Sequence, residues 1–332
     1  MMCKSLLERG PLLVFVFVAS AGLATAARRV PMNWSFIAKS GKRLSEAQRR
    51  RLDKKLTRPL SPAQVSTFDC RWGFKNAKGR FVIKPRFGSV QPFAEGLAAV
   101  EVVSRWEKHA RGTSCARVSA TSRYGYVDRR GKLVIPAVYN GAGLFRGGLA
   151  MVFVGRKAGF IDRQGKLAIP LRYKEARGFH GGLAAVSVAD KGWGFVDSRG
   201  KTVIAPRFAS AGDFHQGLAA VRVGQLWGYV DKTGAMRIKP RFAYAHRFSE
   251  GRAAVNTDTK TQSTWGYIDK SGKLVIQATY GYAKTFSHGL AAVRKNLRWG
   301  YIDPSGKLVI AHRYHRAGDF NSLGYARVGK RP

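Results

Sequence analysis

The sequence predicts an all-β repeat protein, and three observations carry that prediction. One frame of 34 to 38 residues recurs along the chain, each copy is rich in β-branched and aromatic residues, and short Gly-containing turns separate the β-rich runs. Copies begin at Trp72, Tyr124, Ala158, Trp193, Trp227, Trp265 and Trp299, and only the first interval, of 52 residues, is longer. We therefore expect about seven tandem units over residues 70–328, with an insertion at about 101–123.

Each unit is predicted to contain three antiparallel strands. In the copy that begins at Trp265 the strands are 265–269 (Trp-Gly-Tyr-Ile-Asp), 273–276 (Lys-Leu-Val-Ile) and 289–293 (Gly-Leu-Ala-Ala-Val). An Asp-x-x-Gly loop joins the first two strands into a hairpin, because Gly accepts a left-handed conformation and Asp bonds turn amides. An open tandem array of such units is our first choice. A seven-bladed β-propeller is the alternative, although propeller blades usually have four strands in about 40 residues.

The turn position is acidic in six of the seven copies, and the first copy has Asn76 there. The six acids are Asp128, Asp162, Asp197, Asp231, Asp269 and Asp303. Asp and Asn are typical turn residues because their side chains bond nearby backbone amides. We therefore assign these acids to the turns and not to acid–base catalysis.

The repeated pattern resembles a known family. It reads Trp-Gly-[Phe/Tyr]-[Ile/Val]-Asp-x-x-Gly-Lys-x-Val-Ile, then Pro and an aromatic residue, then Phe-x-x-Gly-Leu-Ala-x-Val, and over about residues 71–328 it is similar to the bacterial WG-repeat family. Tyr124 and Ala158 replace Trp, and Ala278 and His312 replace Pro. The resemblance implies an interaction module of exported and cell-envelope proteins, with no common catalytic residue.

The N-terminal region differs from the repeats. A basic start, an apolar run at 11–23 and Ala24-Thr25-Ala26 predict a signal peptide over 1–26, cleaved after Ala26, although an uncleaved membrane anchor is an alternative. We expect a periplasmic or secreted protein with no transmembrane segment in the mature chain. Residues 27–69 are predicted to be a basic arm or linker, with a possible short helix from Ser45 to Leu56. A disordered leader is the alternative.

The two cysteines of the mature chain are Cys70 and Cys115. In an oxidising compartment an even pair favours one disulfide. Two separate thiols are the other reading.

The chain carries 59 Lys and Arg against 19 Asp and Glu, a formal net charge of +40. This excess predicts attraction to anionic polymers or surfaces. Two basic columns recur in the repeats and are our candidate binding residues. One column precedes the second aromatic residue of the copy and contains Arg86, Arg172, Arg207, Arg241 and Arg313, which alternation places on the solvent face. The other follows the turn Gly and contains Lys132, Lys166, Lys201, Lys273 and Lys307. The alternative is that both columns are simply solvated.

Other side chains carry weaker signals. We expect the recurring Trp, Phe and Tyr residues to build the core between neighbouring units, since such small units bury little alone. Among the histidines, only His180 and His215 share a repeat position; Asp213 lies near His215, but Gly178 occupies the matching place beside His180. We therefore predict no metal site. No phosphate-binding loop, dinucleotide fingerprint or nucleophile elbow occurs, so no cofactor is expected.

Together these patterns predict an exported, non-enzymatic repeat scaffold. Its partner is predicted to be an envelope protein or an anionic polymer, such as lipopolysaccharide or a cell-wall polymer, bound through the basic surface. Nucleic-acid binding is an alternative that the export signal disfavours. A cell-wall-associated hydrolase is a third possibility, although no acid pair stands out. The sequence leaves the oligomeric state open.

Overall fold

The computed structural model describes residues 33–48, 51, 60–64, 71–76, 78–104, 106–107, 116–117, 122–258 and 264–330. These residues form 31 strands, and a helical segment begins at residue 46. The predicted signal peptide and the predicted pair Cys70 and Cys115 lie outside the described residues. Within the described part of the chain, no helix has the length and apolar character needed to cross a membrane.

The strands of the N-terminal half are short and follow one another closely. They are β1 (Asn33–Ala38), β2 (Ser61–Gln64), β3 (Trp72–Lys75), β4 (Phe81–Phe87), β5 (Ala98–Val102), β6 (Trp106–Glu107), β7 (Ala116–Arg117), β8 (Arg123–Val127), β9 (Leu133–Tyr139), β10 (Gly141–Ala142), β11 (Ala150–Val154), β12 (Lys157–Ile161), β13 (Leu167–Tyr173), β14 (Glu175–Ala176) and β15 (Ala184–Val188).

The C-terminal half continues the same rhythm. Its strands are β16 (Gly192–Val196), β17 (Thr202–Phe208), β18 (Ser210–Ala211), β19 (Leu218–Val223), β20 (Leu226–Asp231), β21 (Met236–Phe242), β22 (Tyr244–Ala245), β23 (Ala253–Asn256), β24 (Trp265–Ile268), β25 (Leu274–Tyr280), β26 (Tyr282–Ala283), β27 (Ala291–Lys295), β28 (Arg298–Ile302), β29 (Leu308–Tyr314), β30 (Arg316–Ala317) and β31 (Tyr325–Lys330).

In the described residues these strands form eight antiparallel sheets, numbered here in chain order, and one small hairpin. Sheet 1 contains β2, β3 and β4, and sheet 2 contains β5, β8 and β9. Sheets 3 to 7 each contain four consecutive strands, from β10–β13 to β26–β29, and sheet 8 contains β30, β31 and β1. The hairpin of β6 and β7 lies in the predicted insertion. The predicted tandem array of antiparallel β units is confirmed, but three strands per unit is not. Sheets 3 to 7 have a fourth strand of two residues, such as β14, which is too short to be recognised in the sequence.

Each sequence copy is divided between two sheets. The copy that begins at Ala158 supplies β12 and β13 to sheet 3, and then β14 and β15 to sheet 4. In sheet 4, β15 pairs with β16, which carries the Trp-Gly pair of the next copy. The hairpin of a copy and its Gly-Leu-Ala-Ala-Val strand therefore belong to different sheets, and this division links consecutive copies.

The N-terminal segment completes the last sheet. Strand β1 pairs along its full length with β31, from Asn33 opposite Lys330 to Ala38 opposite Tyr325. Residues 34–42 read Trp-Ser-Phe-Ile-Ala-Lys-Ser-Gly-Lys, a weak version of the repeated frame. Residues 33–38 were expected in a basic arm or linker, yet they are the Trp strand of an eighth sheet. The predicted helix does begin after Ser45, whose backbone N–H and Oγ exchange hydrogen bonds with the Gln48 side chain and backbone N–H in a capping box.

This pairing limits the distance between the two ends of the array. Leu44 is bonded to Phe36 of β1 in sheet 8, whereas Leu60 packs against the core of sheets 1 and 2. The fifteen residues between them, which make sixteen Cα–Cα steps, reach at most roughly 55 Å. Seven sheet-to-sheet steps in a straight stack would span about 70 Å. The stack is therefore curved, and it contains eight sheets where seven units were expected.

The core lies between sheets. A cluster of buried apolar side chains fills each of the seven junctions from sheets 1 and 2 to sheets 7 and 8. An aromatic pair recurs at every junction with ring centroids 4.7–5.0 Å apart: Phe74–Phe93, Tyr126–Phe145, Phe160–Phe179, Phe195–Phe214, Tyr229–Phe248, Tyr267–Phe286 and Tyr301–Phe320. The expectation that recurring aromatic residues build the shared core is thus confirmed for these positions.

The glycine of each Trp-Gly pair lies under the backbone of the neighbouring strand. A Cβ on Gly228 would be 2.4 Å from the carbonyl oxygen of Ile238 and 2.8 Å from the nitrogen of Pro240. The register shifts here, since Trp227 opposes Phe242 while Tyr229 opposes Ile238. The longer strand therefore bulges onto the glycine, and only a residue without a side chain fits.

A glycine substitution tests this contact. We expect Gly228→Ala to lower the free energy of unfolding by about 2–3 kcal/mol, because the new methyl group overlaps fixed backbone atoms. Thermal and urea unfolding followed by circular dichroism would measure the loss. Gly178→Ala is the control, since its Cβ would meet only Arg146 Cδ, at 4.0 Å. Equal stability of the two variants would contradict the contact.

The eighth sheet gives a second prediction. Ile37 is 1% exposed and packs with Tyr301 and Ile310. We expect Ile37→Ala to cost about 2–4 kcal/mol, as for other buried large-to-small changes. Ser40→Ala in the exposed turn after β1 should leave the thermal midpoint unchanged. If residues 33–38 were part of a solvated arm, both variants would be neutral.

Candidate functional site

The turn acids bond their own backbone. In each of the six turns the Asp Oδ1 accepts N–H groups from the second and fourth following residues, and Asn76 does the same. The Thr233 hydroxyl, and then Arg237, lower the pKa of Asp231 to about 2. Hydroxyls of Ser271 and Ser305 likewise lower the pKa of Asp269 and Asp303. The prediction that these acids form turns is confirmed.

The predicted arginine column faces solvent but also joins the sheets. Each guanidinium stacks over the aromatic ring that follows it, 5.1–5.3 Å from the ring centroid. Each also donates from Nη2 to the carbonyl of a turn glycine in the next sheet: Arg86 to Gly131, Arg172 to Gly200, Arg207 to Gly234, Arg241 to Gly272 and Arg313 to Gly41. The repetition of this column is therefore explained by inter-sheet bonding, and a binding role for it stays a prediction.

The predicted lysine column occupies the Asp-turn rim, the edge of the molecule formed by the Asp-x-x-Gly loops. The residues Lys132, Lys166, Lys201, Lys273 and Lys307 are all exposed. Their backbone N–H groups complete the turns, which leaves the side chains pointing away from the sheets. Their role in binding also stays a prediction.

A row of side chains crosses each sheet at the end opposite the Asp turns. In sheet 7, Tyr282, Arg294, Trp299 and Tyr314 stand opposite one another on successive strands. The position next to the Trp, on the second strand, changes from sheet to sheet: Glu101, Phe153, Ser187, Arg222, Asn256 and Arg294. The framework is constant here while the chemistry varies, and of these side chains Glu101, Ser187 and Asn256 are buried.

Aromatic members of these rows form a continuous series across sheets 5 to 7, which we call the aromatic ladder. Its contacts, between ring centroids, are Trp227–Tyr244 at 5.4 Å, Tyr244–Trp265 at 5.8 Å, Trp265–Tyr282 at 4.8 Å and Tyr282–Trp299 at 5.8 Å. Trp265 is buried, as expected for a core residue, whereas Trp227 and Trp299 are half-buried at the border of the core. His246 packs on Trp265 with centroids 5.2 Å apart.

The ladder ends in a cleft of about 910 Å³ where sheets 7 and 8 meet, the basic cleft. Five basic side chains line it beside Trp299 and His315: Lys284, Arg294, Arg298, Arg316 and Arg327. None of the described lining residues is acidic. The cleft therefore concentrates positive charge in a concave space.

Aromatic and backbone groups hold these cations in place. The guanidinium of Arg294 is 5.9 Å from the ring centroids of both Tyr282 and Trp299. The Lys284 ammonium lies 5.7 Å from the Trp299 centroid, donates to the Ala317 carbonyl at 2.9 Å and is 3.3 Å from Asp319. The cation–π contacts hold Arg294 without neutralising its charge, whereas Asp319 forms an ion pair with Lys284. A bound anion would relieve the repulsion between the cations of the cleft.

Neither predicted column lines this cleft, and sequence reasoning missed its residues. Arg294, Arg316 and Arg327 are not in a basic column, because most other copies carry uncharged or acidic residues at the matching places. The available signal for Arg294 was the departure from the frame, since only Arg222 matches it and the other copies have Glu, Phe, Ser or Asn there. Charges that recur at the same position in most copies belong to the framework that joins the sheets, and not to the cleft.

Comparison with known sequences identifies the repeat. Seven segments match the family described as "WG containing repeat", at residues 72–106, 124–157, 159–191, 193–227, 227–260, 265–296 and 299–331. These matches cover well over half of the chain. No curated protein sequence is significantly similar to it.

Comparison with solved structures concerns the fold. A eukaryotic initiation factor is 12% identical, with 80% of this chain and 77% of that chain covered and a TM-score of 0.54. BamB from Moraxella catarrhalis is 11% identical (83% and 95% covered, TM-score 0.45), and the WD40 β-propeller domain of Doa1 is 12% identical (73% and 92% covered, TM-score 0.35). At 12% identity, the likeness to the initiation factor concerns the fold alone.

The histidine beside the ladder predicts a dependence of stability on pH. Burial, with a smaller effect from Arg247, lowers the pKa of His246 from 6.5 to about 4. The unfolded chain takes up this proton below pH 6.5 and the folded chain only near pH 4, so the stabilisation is complete above pH 6.5 and is lost as the pH falls. We expect the thermal midpoint to drop between pH 7 and pH 4.5, and His246→Gln to flatten that slope.

The control for this measurement is His288→Gln, on an exposed turn. It should retain the slope of the parent chain. A slope unchanged by His246→Gln would show that His246 is protonated at the same pH in the folded and unfolded chains.

Proposed function

Because this chain belongs to the WG containing repeat family, we propose that it is a non-enzymatic binding scaffold whose basic cleft binds an anionic polymer. The observation that supports this proposal is the set of five basic side chains at the end of the aromatic ladder, of which only Lys284 has a described ion pair, with Asp319. The six turn carboxylates are held by their own backbone amides, which supports a role other than catalysis.

The chemistry of the cleft favours phosphate, sulfate or carboxylate groups. Arginine presents a planar fork of donors that binds such oxyanions through two parallel hydrogen bonds. A volume of about 910 Å³ is in the range of small-molecule sites and would hold a few monomer units of a chain. The net charge of +40 adds long-range attraction that raises the rate of encounter.

The aromatic ladder extends the proposed site away from the cleft. Half-buried Trp227 and exposed Tyr244 offer ring faces on which sugar rings or bases can stack. A polymer with anionic groups in the cleft would then continue along sheets 6 and 5. With the predicted export signal, this arrangement favours an envelope glycan such as lipopolysaccharide or a cell-wall polymer. The rings of the ladder could equally stack on the bases of a single-stranded nucleic acid.

A binding measurement with charge-matched variants tests the proposal. The double variant Arg294→Gln/Arg316→Gln and the double variant Lys166→Gln/Lys201→Gln each remove two positive charges, the first from the cleft and the second from the lysine column. We expect the cleft variant to bind fluorescein-labelled heparin at least tenfold more weakly, since each charge-assisted hydrogen bond contributes about 1.5–3 kcal/mol. The column variant should change affinity less than about threefold, through the general field alone.

Fluorescence anisotropy in 50–300 mM NaCl would follow heparin, polyphosphate, purified lipopolysaccharide and a poly-dT oligonucleotide. Affinity for the partner should fall with salt as counterions are released. Equal losses in the two double variants would contradict a site in the cleft and favour the lysine column. Tightest binding to poly-dT would favour the nucleic-acid alternative.

A further inference from the structure

A second cluster of side chains lies on the Asp-turn rim, away from the basic cleft. His180 follows the junction aromatic Phe179 in sheet 4, and Asp213 and His215 flank the equivalent Phe214 in sheet 5. Stacking of the two sheets brings the imidazole rings to a centroid distance of 4.8 Å. Asp213 Oδ2 is 3.7 Å from His180 Nε2. We propose that His180, Asp213 and His215 form a binding site for a divalent transition-metal ion, with Zn²⁺ the best match.

The geometry suits three protein ligands and one open position. One ligand atom from each residue lies within 4.8 Å of the other two. Ligand atoms around a tetrahedral zinc are about 3.3 Å apart, given Zn–N and Zn–O distances near 2.0 Å. Side-chain rotations that move the ligand atoms by about 1 Å would therefore bring them to zinc-binding distances, and no strand has to move. Two imidazoles and a carboxylate with a free fourth position are typical of zinc sites that bind water or another ligand.

The state of the three side chains supports this assignment. His180 and His215 each offer an imidazole nitrogen, and Asp213 offers a carboxylate oxygen, which are ligand types that Zn²⁺ binds. Asp213 Oδ1 is buried without a hydrogen-bond partner in the described structure. A buried acceptor with no donor is an unfavourable arrangement that a bound cation removes.

The surroundings limit the choice of ion. Arg146 and Arg247 are close enough to lower the pKa of both histidines, so they also oppose a bound cation. An ion held mainly by charge, such as Mg²⁺ or Ca²⁺, prefers oxygen ligands and would be excluded. Zn²⁺ gains from imidazole coordination and can tolerate the arginines. Their charges also favour an anion in the open fourth position.

Zinc titration of the full, untagged chain after dialysis against EDTA tests the proposal. Isothermal calorimetry with ZnCl₂ should show one strong site per chain, and Co²⁺ in its place should give the visible absorption of a tetrahedral complex. We expect His180→Gln, His215→Gln and Asp213→Asn each to weaken Zn²⁺ binding at least tenfold. Arg247→Gln should tighten it, because a repelling charge is removed; a merely structural role for the cluster would not produce that gain.

Two variants serve as controls. His288→Gln lies on the same rim in sheet 7, and Arg294→Gln/Arg316→Gln lies in the basic cleft; both should bind Zn²⁺ like the parent chain. Circular dichroism would confirm that the ligand variants are folded. Should a ligand variant unfold, absence of the Co²⁺ spectrum and of a zinc-dependent rise in thermal midpoint in the parent chain would overturn the proposal. Zinc binding that the three ligand substitutions leave unchanged would also overturn it.

Discussion

The fold depends on the contact between the glycine of each Trp-Gly pair and the bulged strand beside it. The carbonyl oxygen of Ile238 would lie only 2.4 Å from a Cβ on Gly228, and the same close approach recurs in each copy, as at Gly73, Gly194 and Gly300. The bulge lets the longer strand curve across its neighbour, so that its Ile and its final aromatic residue both face the adjoining sheet. Without this approach, the aromatic pairs and the arginine bonds that join the sheets would lose their register.

The junctions show how one sequence pattern serves an entire array. Each junction repeats an aromatic pair, and five of them add an arginine that reaches the turn glycine of the next sheet. These residues recur because the geometry that they serve recurs. The position held by Arg294 in sheet 7 and by the buried Asn256 in sheet 6 takes no part in these junction contacts and varies between copies. In this protein constancy therefore marks the framework, and variation gives each sheet its own chemistry.

Much of the fold was predictable, and less of the site. The turn acids, the buried aromatics and the Trp-Gly glycines act within one hairpin or at a fixed repeat spacing, so local chemistry was enough to identify them. The two-residue strand that begins each four-stranded sheet is too short to give a periodic signal. Ile37 lies in a weak copy of the frame, and only its pairing with β31 near the other end of the sequence shows its place in the core. The basic cleft joins residues from two consecutive copies. His180 meets Asp213 of the next copy across a junction, a contact that the sequence did not predict because its own copy has Gly178 at the place of Asp213.

The sequence by itself determined the all-β class, the seven full copies of the repeat, the turns and the excess of positive charge, because each of these is local or summed over the chain. Tertiary structure decided which strands share a sheet, that β1 and β31 complete an eighth one, and that the arginine column bonds across junctions. It also decided which cations face one another across the cleft at Trp299. The reason is physical: pairing and side-chain convergence depend on contacts between distant residues, and a repeated frame is compatible with several such pairings until the strands are packed.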